Sequence, residues 1–217
     1  MNDDPVPVRR GRQREAARND ARILQAAREV FIADPDAPIA AVAVRAGVGI
    51  GALYRRYGSK EELLRQLSAA GLRQYTALVE AALAAGDDPA AAFATFMQEA
   101  LYADTHSLTL HLAGRFAPTE DLWRDGDRAA RLTAELLARM QDAGVLRPEI
   151  VVGDVTMIFE QLAAVRVGDA SRTQQLRRRY LALFLAALRP GEDAAPLPGP
   201  APEWPEISAR FAPGVRD

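Results

Sequence analysis

The chain has 217 residues, 49% of them hydrophobic and 26% charged, which is enough apolar material for one large or two modest globular domains. It contains no cysteine, which excludes disulfides, thiolate zinc sites and cysteine nucleophiles. No apolar run reaches the length of a membrane span, and the basic N-terminus has no apolar stretch behind it, so no membrane association and no secretion signal are expected and a cytoplasmic protein is the default.

The net charge of −2 hides an asymmetry. Arg9–Arg65 holds eleven Arg and one Lys against seven acids, a net +5, whereas Gln66–Asp217 holds fifteen Arg against twenty acids, a net −5. A basic front on an acidic body suits a chain whose one end meets a polyanion, although chance clustering gives the same count.

Residues 1–16 read as a basic arm, in which Arg10 and Arg12 either follow a DNA backbone or belong to a solvated tail. The first helix is expected to begin near Arg14–Asn19, with Ile23, Leu24, Ala27, Val30 and Phe31 on one apolar face. Asp34-Pro35-Asp36-Ala37-Pro38 stops it, because each proline disfavours helix in the residue before it. Two short helices, Ile39–Ala46 and Ile50–Tyr57, follow around Gly47-Val48-Gly49. Gly58 breaks the second, and Ser59 with Glu61 and Glu62 makes an N-cap for a long helix reaching about Ala85.

Asp88-Pro89 opens a further helix to about Leu101–Thr105, a shorter piece spans Ser107–Phe116, and Thr119 introduces a helix over Glu120–Ala143 that Gly144 closes. The last two helices are expected over Glu149–Val167 and from Ser171 to just before Pro190. No strand-like alternation occurs, so the predicted fold class is all-α with about nine helices. The Pro-, Gly- and Ala-rich tail, 190–217, is expected to be irregular, pinned at most by Trp204, Ile207 and Phe211.

The informative stretch is Ile39–Lys60. Two short helices joined by a tight glycine-containing turn match helix-turn-helix geometry. Ala46 and Gly47 permit close approach, and Val42, Val48 and Leu53 can fill the small core between the helices. The second helix then presents Gly49, Ile50, Gly51, Ala52, Tyr54, Arg55 and Arg56 outward, with Arg45 counted on the same surface. Small residues let that backbone near the major-groove floor, and arginine pairs with guanine edges.

At these residues the chain resembles the TetR family of bacterial one-component regulators. The matching residues are Arg22-Ile23-Leu24-x-Ala26-Ala27 with Phe31, Ala46-Gly47-Val48, Gly51-Ala52-Leu53-Tyr54-Arg55-Arg56-Tyr57, and Ser59-Lys60-Glu61-Glu62-Leu63-Leu64. They fall in the family's register over about Ala17–Tyr75, apart from a slightly short first inter-helix link. The resemblance implies an N-terminal three-helix DNA-binding domain over 17–75, with the helix-turn-helix at 38–57, then a helical sensory and dimerisation domain over 76–189. It also implies that Tyr54 and Lys60 contact phosphates, that Tyr57 packs inward and that the second motif helix reads bases. Gly49 and Ala52 stand where the family often has Ser or Thr, which leaves the DNA sequence preference open.

Singly, Phe93, Phe96, Met97, Tyr102, Phe116, Trp123 and Met157 are ordinary core residues. As a set they suggest a central apolar cavity, because sensory domains of the resembled family enclose a ligand between their middle helices; His106, His111, Gln161 and Arg115 are its polar candidates. The two histidines are five residues apart and do not share a helical face, so no metal site is expected, nor a cofactor. Val155, Ile158, Phe159 and Leu162 form one wide apolar face, and Leu176, Tyr180, Phe184 and Leu188 another. Two such helices from each of two copies make a four-helix bundle, with packing onto the chain's own core as the alternative. Arg177-Arg178-Arg179 reads as a solvated or ion-paired face.

No nucleophile elbow, His-Glu metal motif or phosphate loop is present, so no catalytic residue is expected. The predicted function is a sequence-specific transcriptional regulator, most often a repressor. It would bind a palindromic double-stranded operator as a homodimer and be released by a small apolar or amphipathic effector. A constitutive DNA-binding regulator without ligand, or an enzyme using the helical body, are the alternatives.

Overall fold

Helices are the only regular elements among the residues described in the computed structural model, which are 7–86, 88–104, 106, 112, 114–191 and 195–210. Nine helices occur among them: α1 (Pro7–Ala33), α2 (Ile39–Ala46), α3 (Ile50–Tyr57), α4 (Lys60–Ala84), α5 (Pro89–Ala103), α6 (Glu120–Asp142), α7 (Val152–Ala164), α8 (Ala170–Ala187) and α9 (Trp204–Ala209). The chain divides into two compact units, Met1–Leu67 and Ser68–Asp217.

In the first unit, Ile23, Ala26, Ala27 and Phe31 form the apolar stripe of α1 and are buried with Val42, Ala43 and Ala46 of α2 and Leu53 and Tyr57 of α3. Leu63, Leu64 and Leu67 of α4 complete this core. Asp34 organises the turn after α1, its carboxylate accepting from the Asp36 amide at 3.0 Å. Helix α1 already begins at Pro7, earlier than the expected Arg14–Asn19. Pro7 is suited to a first helical position, and the Arg, Gln, Glu and Ala that follow favour helix over an extended arm.

In the second unit, Val79, Phe93, Phe96, Met97, Leu136, Met140, Ile158, Phe159, Leu162 and Leu181 belong to one continuous core. Side-chain caps set the helix starts where the sequence places them. Asp88 accepts from the Ala91 amide at 2.9 Å, and Thr119 accepts from the Leu122 amide at 3.3 Å. Ser59 likewise caps α4 in the first unit, accepting from the Glu62 amide at 3.1 Å.

Both boundaries of α7 also differ from expectation. Helix α7 starts at Val152 rather than Glu149. The Gln141 side-chain amide donates to the carbonyls of Arg147, Pro148 and Ile150 at 3.2, 3.1 and 2.9 Å and holds that stretch as a turn. Helix α7 also ends at Ala164, where the buried Arg177 guanidinium takes the carbonyls of Ala163 and Val165 at 2.7 and 3.2 Å. The tail is not wholly irregular either, since Trp204–Ala209 forms α9 with Ile207 buried. Phe211 lies outside the described residues.

Candidate nucleic-acid interface and ligand cavity

The α2–turn–α3 unit is shaped by Gly47, whose φ of +64° ends α2 in the left-handed region. The amides of Gly47 and Val48 return to the carbonyls of Val44 and Ala43 at 3.1 and 3.0 Å. Helix α3 then buries only Leu53 and Tyr57 and exposes Ile50, Gly51, Ala52, Tyr54, Arg55 and Arg56, with Gly49 exposed at its N-cap. Val44, at the end of α2, is 83% exposed, an unusual position for valine.

Neither outward glycine is demanded by the fold. A Cβ on Gly49 would meet nothing within 4 Å, and one on Gly51 would touch only the Arg55 side chain at 3.5 Å. Neither has a positive φ. Gly51 stands in the first turn of α3, where packing within the chain leaves room for a side chain.

The cations around α3 differ in how far they are committed. The Arg56 guanidinium grips Asp20 through two bonds of 2.8 and 2.6 Å, which hold the Asp20 carboxyl below its ordinary pKa and raise that of Arg56. Arg45 pairs with Glu29, which also accepts from Gln25 at 3.0 Å. The Lys60 ammonium donates to the Ala37 carbonyl at 2.7 Å and lies 5.1 Å from the Phe31 ring centre. Arg55 makes no ion pair with a described residue. Arg10 and Arg12 lie on α1, and their side chains fall outside the described residues.

A cavity of about 170 Å³ lies within the second unit. Its wall is built from Leu72 and Tyr75 of α4, Leu122, Trp123, Gly126, Ala129 and Thr133 of α6, Val152 and Thr156 of α7, and Trp204 and Ile207 of α9, together with His106, Leu112 and Phe116. Among the described residues, no Asp, Glu, Lys or Arg lines it. Its polar edge is a relay in which the Tyr75 hydroxyl meets Thr133 at 3.1 Å and Thr133 donates to the Ala129 carbonyl at 2.8 Å. His106 stacks on Phe159 at 4.5 Å and meets the Tyr75 ring edge-on at 5.3 Å. Burial lowers the His106 pKa to about 4 and raises that of Tyr75 to about 12, so both are neutral near pH 7.

Residues 23–67, which hold the whole α2–turn–α3 unit, match the family model described as bacterial regulatory proteins, tetR family. Over that stretch the chain is similar to the TetR family. A TetR transcriptional regulator from Streptomyces coelicolor is 25% identical, with 79% of this chain and 98% of that chain covered and a TM-score of 0.57. A TetR regulatory protein from Mycobacterium vanbaalenii is also 25% identical, with coverages of 82% and 99% and a TM-score of 0.56. The regulator LfrR from Mycobacterium smegmatis, solved in complex with proflavine, shares the fold at 21% identity, coverages of 76% and 95% and a TM-score of 0.55. No curated protein matches the chain in sequence. The matched DNA-binding segment and the regulators at 25% identity support a DNA-binding regulator of transcription, and the proteins the chain matches are regulators rather than enzymes.

In the second unit, the expected pocket residues separate into distinct groups. His106, Phe116 and Trp123 line the cavity. Phe93, Phe96 and Met97 are buried in the core instead, Tyr102 is 69% exposed, and Met157 and Gln161 do not reach the cavity wall. His111 lies outside the described residues. Sequence reasoning missed Leu72, Tyr75, Gly126, Ala129, Thr133, Trp204 and Ile207. Gly126, a glycine well inside a helix with open space where its Cβ would stand, was a signal available for that wall.

The expected dimer surface divides in the same way. Val155, Ile158, Phe159, Leu162 and Leu188 are buried in the chain's own core and are therefore committed there. On α8, Tyr180 and Leu183 are exposed and Leu176 and Phe184 half-buried, while Arg177 and Leu181 face inward. Arg177 is 4% exposed and pairs with Asp104 at 3.1 Å, so it is a buried ion pair, whereas Arg178 and Arg179 are solvated.

Proposed function

We propose that this chain is a repressor that binds a palindromic operator as a homodimer and lets go when a small, uncharged and largely apolar molecule fills the cavity. Gly49, Ile50, Gly51, Ala52, Tyr54 and Arg55 meet the major groove, with the small residues allowing close approach and Arg55 free to read a base edge. Arg45, Arg56 and Lys60, and Arg10 and Arg12 ahead of them, serve the phosphates. The apolar stripe of Leu176, Tyr180, Leu183, Phe184 and Ala187 on α8 has the i, i+4, i+7, i+8 and i+11 spacing of a helix-packing face and supplies the dimer contact.

The observation that carries this reading is the shared helix. Lys60–Leu67 of α4 belongs to the unit containing α3, and Ser68, Leu72 and Tyr75 of the same helix line the cavity. A molecule pressing on that wall acts on an element continuous with the DNA-binding unit. It weakens DNA binding only as far as it prefers the conformer that fits DNA less well. The uncharged wall supports a neutral ligand, because a buried charge without a partner is costly. LfrR, a protein of this fold, is solved in complex with a small aromatic molecule, proflavine.

The test is to sequence genomic fragments retained by the purified protein and then to titrate the enriched fragment with small aromatic molecules of each charge. A two-fold symmetric site, displaced by uncharged members only, is expected. An asymmetric site, or displacement by anions alone, overturns the reading.

A further inference from the structure

We propose that residues 195–210 form a latch over the ligand cavity, so that a ligand enters and leaves only when this C-terminal segment lets go. The proposal rests on the cavity being the ligand site. Trp204 and Ile207 of α9 are part of the cavity wall, so the segment is a binding surface as well as a cover.

Four separate contacts hold the segment, the first being the Arg147 guanidinium, which donates to the Ala195 carbonyl at 2.7 Å. The Arg210 guanidinium grips the Glu160 carboxylate through bonds of 2.9 and 2.6 Å, and the Glu160 side chain is only 10% exposed. The Trp204 indole N–H donates to Asp127 at 3.1 Å. The last contact is a cradle: a Cβ on Gly153 would lie 2.4 Å from the Pro202 carbonyl oxygen and 2.7 Å from Pro202 Cγ. Gly153 sits inside α7 without a positive φ, so this close approach is the feature that requires glycine there.

The holding is firm in geometry but small in extent. Helix α9 has six residues, too few to persist in water without docking, and Ile207 is its single deeply buried apolar side chain. Such a segment opens at far lower cost than the core does. A ligand touching Trp204 and Ile207 adds to the docked state alone, so binding tightens the latch behind it.

The chain has two tryptophans, Trp123 and Trp204, and both line the cavity. In full-length Trp204→Phe protein, Trp123 is the only emitter and reports the cavity directly. Adding Gly153→Val should undock the segment. Acrylamide quenching of Trp123 then rises at least two-fold, proteolysis within 195–210 speeds up about ten-fold, and helical content is otherwise preserved. Arg210→Glu, at the more exposed end of the ion pair, should act the same way and serves if the valine variant fails to fold. Release of the segment with no change in Trp123 quenching overturns the latch, as does continued protection of the segment in both variants. Stopped-flow mixing with 2-naphthol, an uncharged aromatic probe, should show both rate constants rising about ten-fold on undocking, and equal rates overturn the latch. If 2-naphthol fails to bind either form while quenching still rises, the ligand reading falls and the latch stands as a cover.

Discussion

Arg56 and Asp20 face each other from α3 and α1 in a two-pronged pair, Nε to Oδ1 at 2.8 Å and Nη2 to Oδ2 at 2.6 Å. The pair fixes the guanidinium that follows Arg55 on the reading helix, and it is half-exposed, so its contribution to stability is about 0.5 kcal/mol after solvent screening. The Asp20 carboxyl sits below its ordinary pKa because Arg56 donates to it. Its stabilisation is therefore present above the ordinary aspartate value of about 3.9 and is lost as pH falls through the lower folded value. Urea titrations of the parent and Asp20→Asn should differ near pH 7 and converge in acid. Asp20→Asn also frees Arg56 and removes a negative charge, so affinity for all DNA sequences should rise, with a salt slope steeper by up to about 0.9. Unchanged affinity would place Arg56 out of reach of DNA.

Gly51 offers a second measurement with two arms of opposite sign. Gly51→Ala should raise stability by about 0.5–1 kcal/mol, because alanine is the better helix former and only the mobile Arg55 side chain stands near. The same methyl group should weaken operator binding if the backbone approaches the groove floor. Thermal unfolding and fluorescence anisotropy decide it, and a variant that is both more stable and equally tight would remove the close-approach argument.

Lys60 is expected to matter twice. Its ammonium serves the carbonyls of Ala37 and Pro35, so Lys60→Met should lose about 1–2 kcal/mol of stability in urea, DNA being absent. Arg55→Ala, by contrast, should leave stability within about 0.5 kcal/mol, as surface substitutions usually do. In a bound-sequence profile it should relax preference symmetrically in both half-sites. If Lys60→Met is as stable as the parent, its role is confined to DNA.

His106 gives a pH signature. Burial lowers its pKa to about 4 from the ordinary 6.5, so between those values the unfolded chain takes up the proton and the folded chain does not. Stability therefore falls as pH drops through that window, by at most about 1.4 kcal/mol per pH unit from this group. His106→Phe should flatten the profile between pH 6.5 and 4 relative to the parent. Parallel profiles would show that His106 titrates normally.

Leu183 is 57% exposed on α8. Leu183→Asp should leave a folded chain, since the side chain is not part of the internal core, yet halve the mass in light scattering and abolish tight operator binding. A folded variant of unchanged mass would assign the α8 stripe another role.

Local signals made much of the fold legible. Ser59, Asp88 and Thr119 announce helix starts because the cap is a short-range hydrogen bond that the sequence writes out in full. The inward and outward sides of α3 were equally readable, since Leu53 and Tyr57 are four residues apart on one face. The destination of an apolar face was not readable. Val155, Ile158, Phe159 and Leu162 look like an interface and pack internally, because hydropathy records aversion to water and not the identity of the partner. Part of the cavity wall escaped for a related reason, since Gly126, Ala129 and Thr133 make room by being small, which no apolar pattern marks. Lys60 and Arg56 read as outward cations, but their internal partners lie 23 and 36 residues away, beyond any local pattern.

The hydroxyls around the cavity have a chemical consequence for what can be recognised there. Thr133, Thr156 and Ser208 each give their proton to a backbone carbonyl, those of Ala129, Val152 and Pro205, at 2.8, 3.0 and 3.2 Å. With the Thr133 proton committed, Tyr75 is the donor in its bond to Thr133. These four hydroxyls, among those of the described lining, keep lone pairs free while their protons are committed. An effector held among them gains more from an N–H or O–H of its own than from a carbonyl. An alcohol should therefore outrank the ketone of the same skeleton, and a secondary amide its N-methylated counterpart.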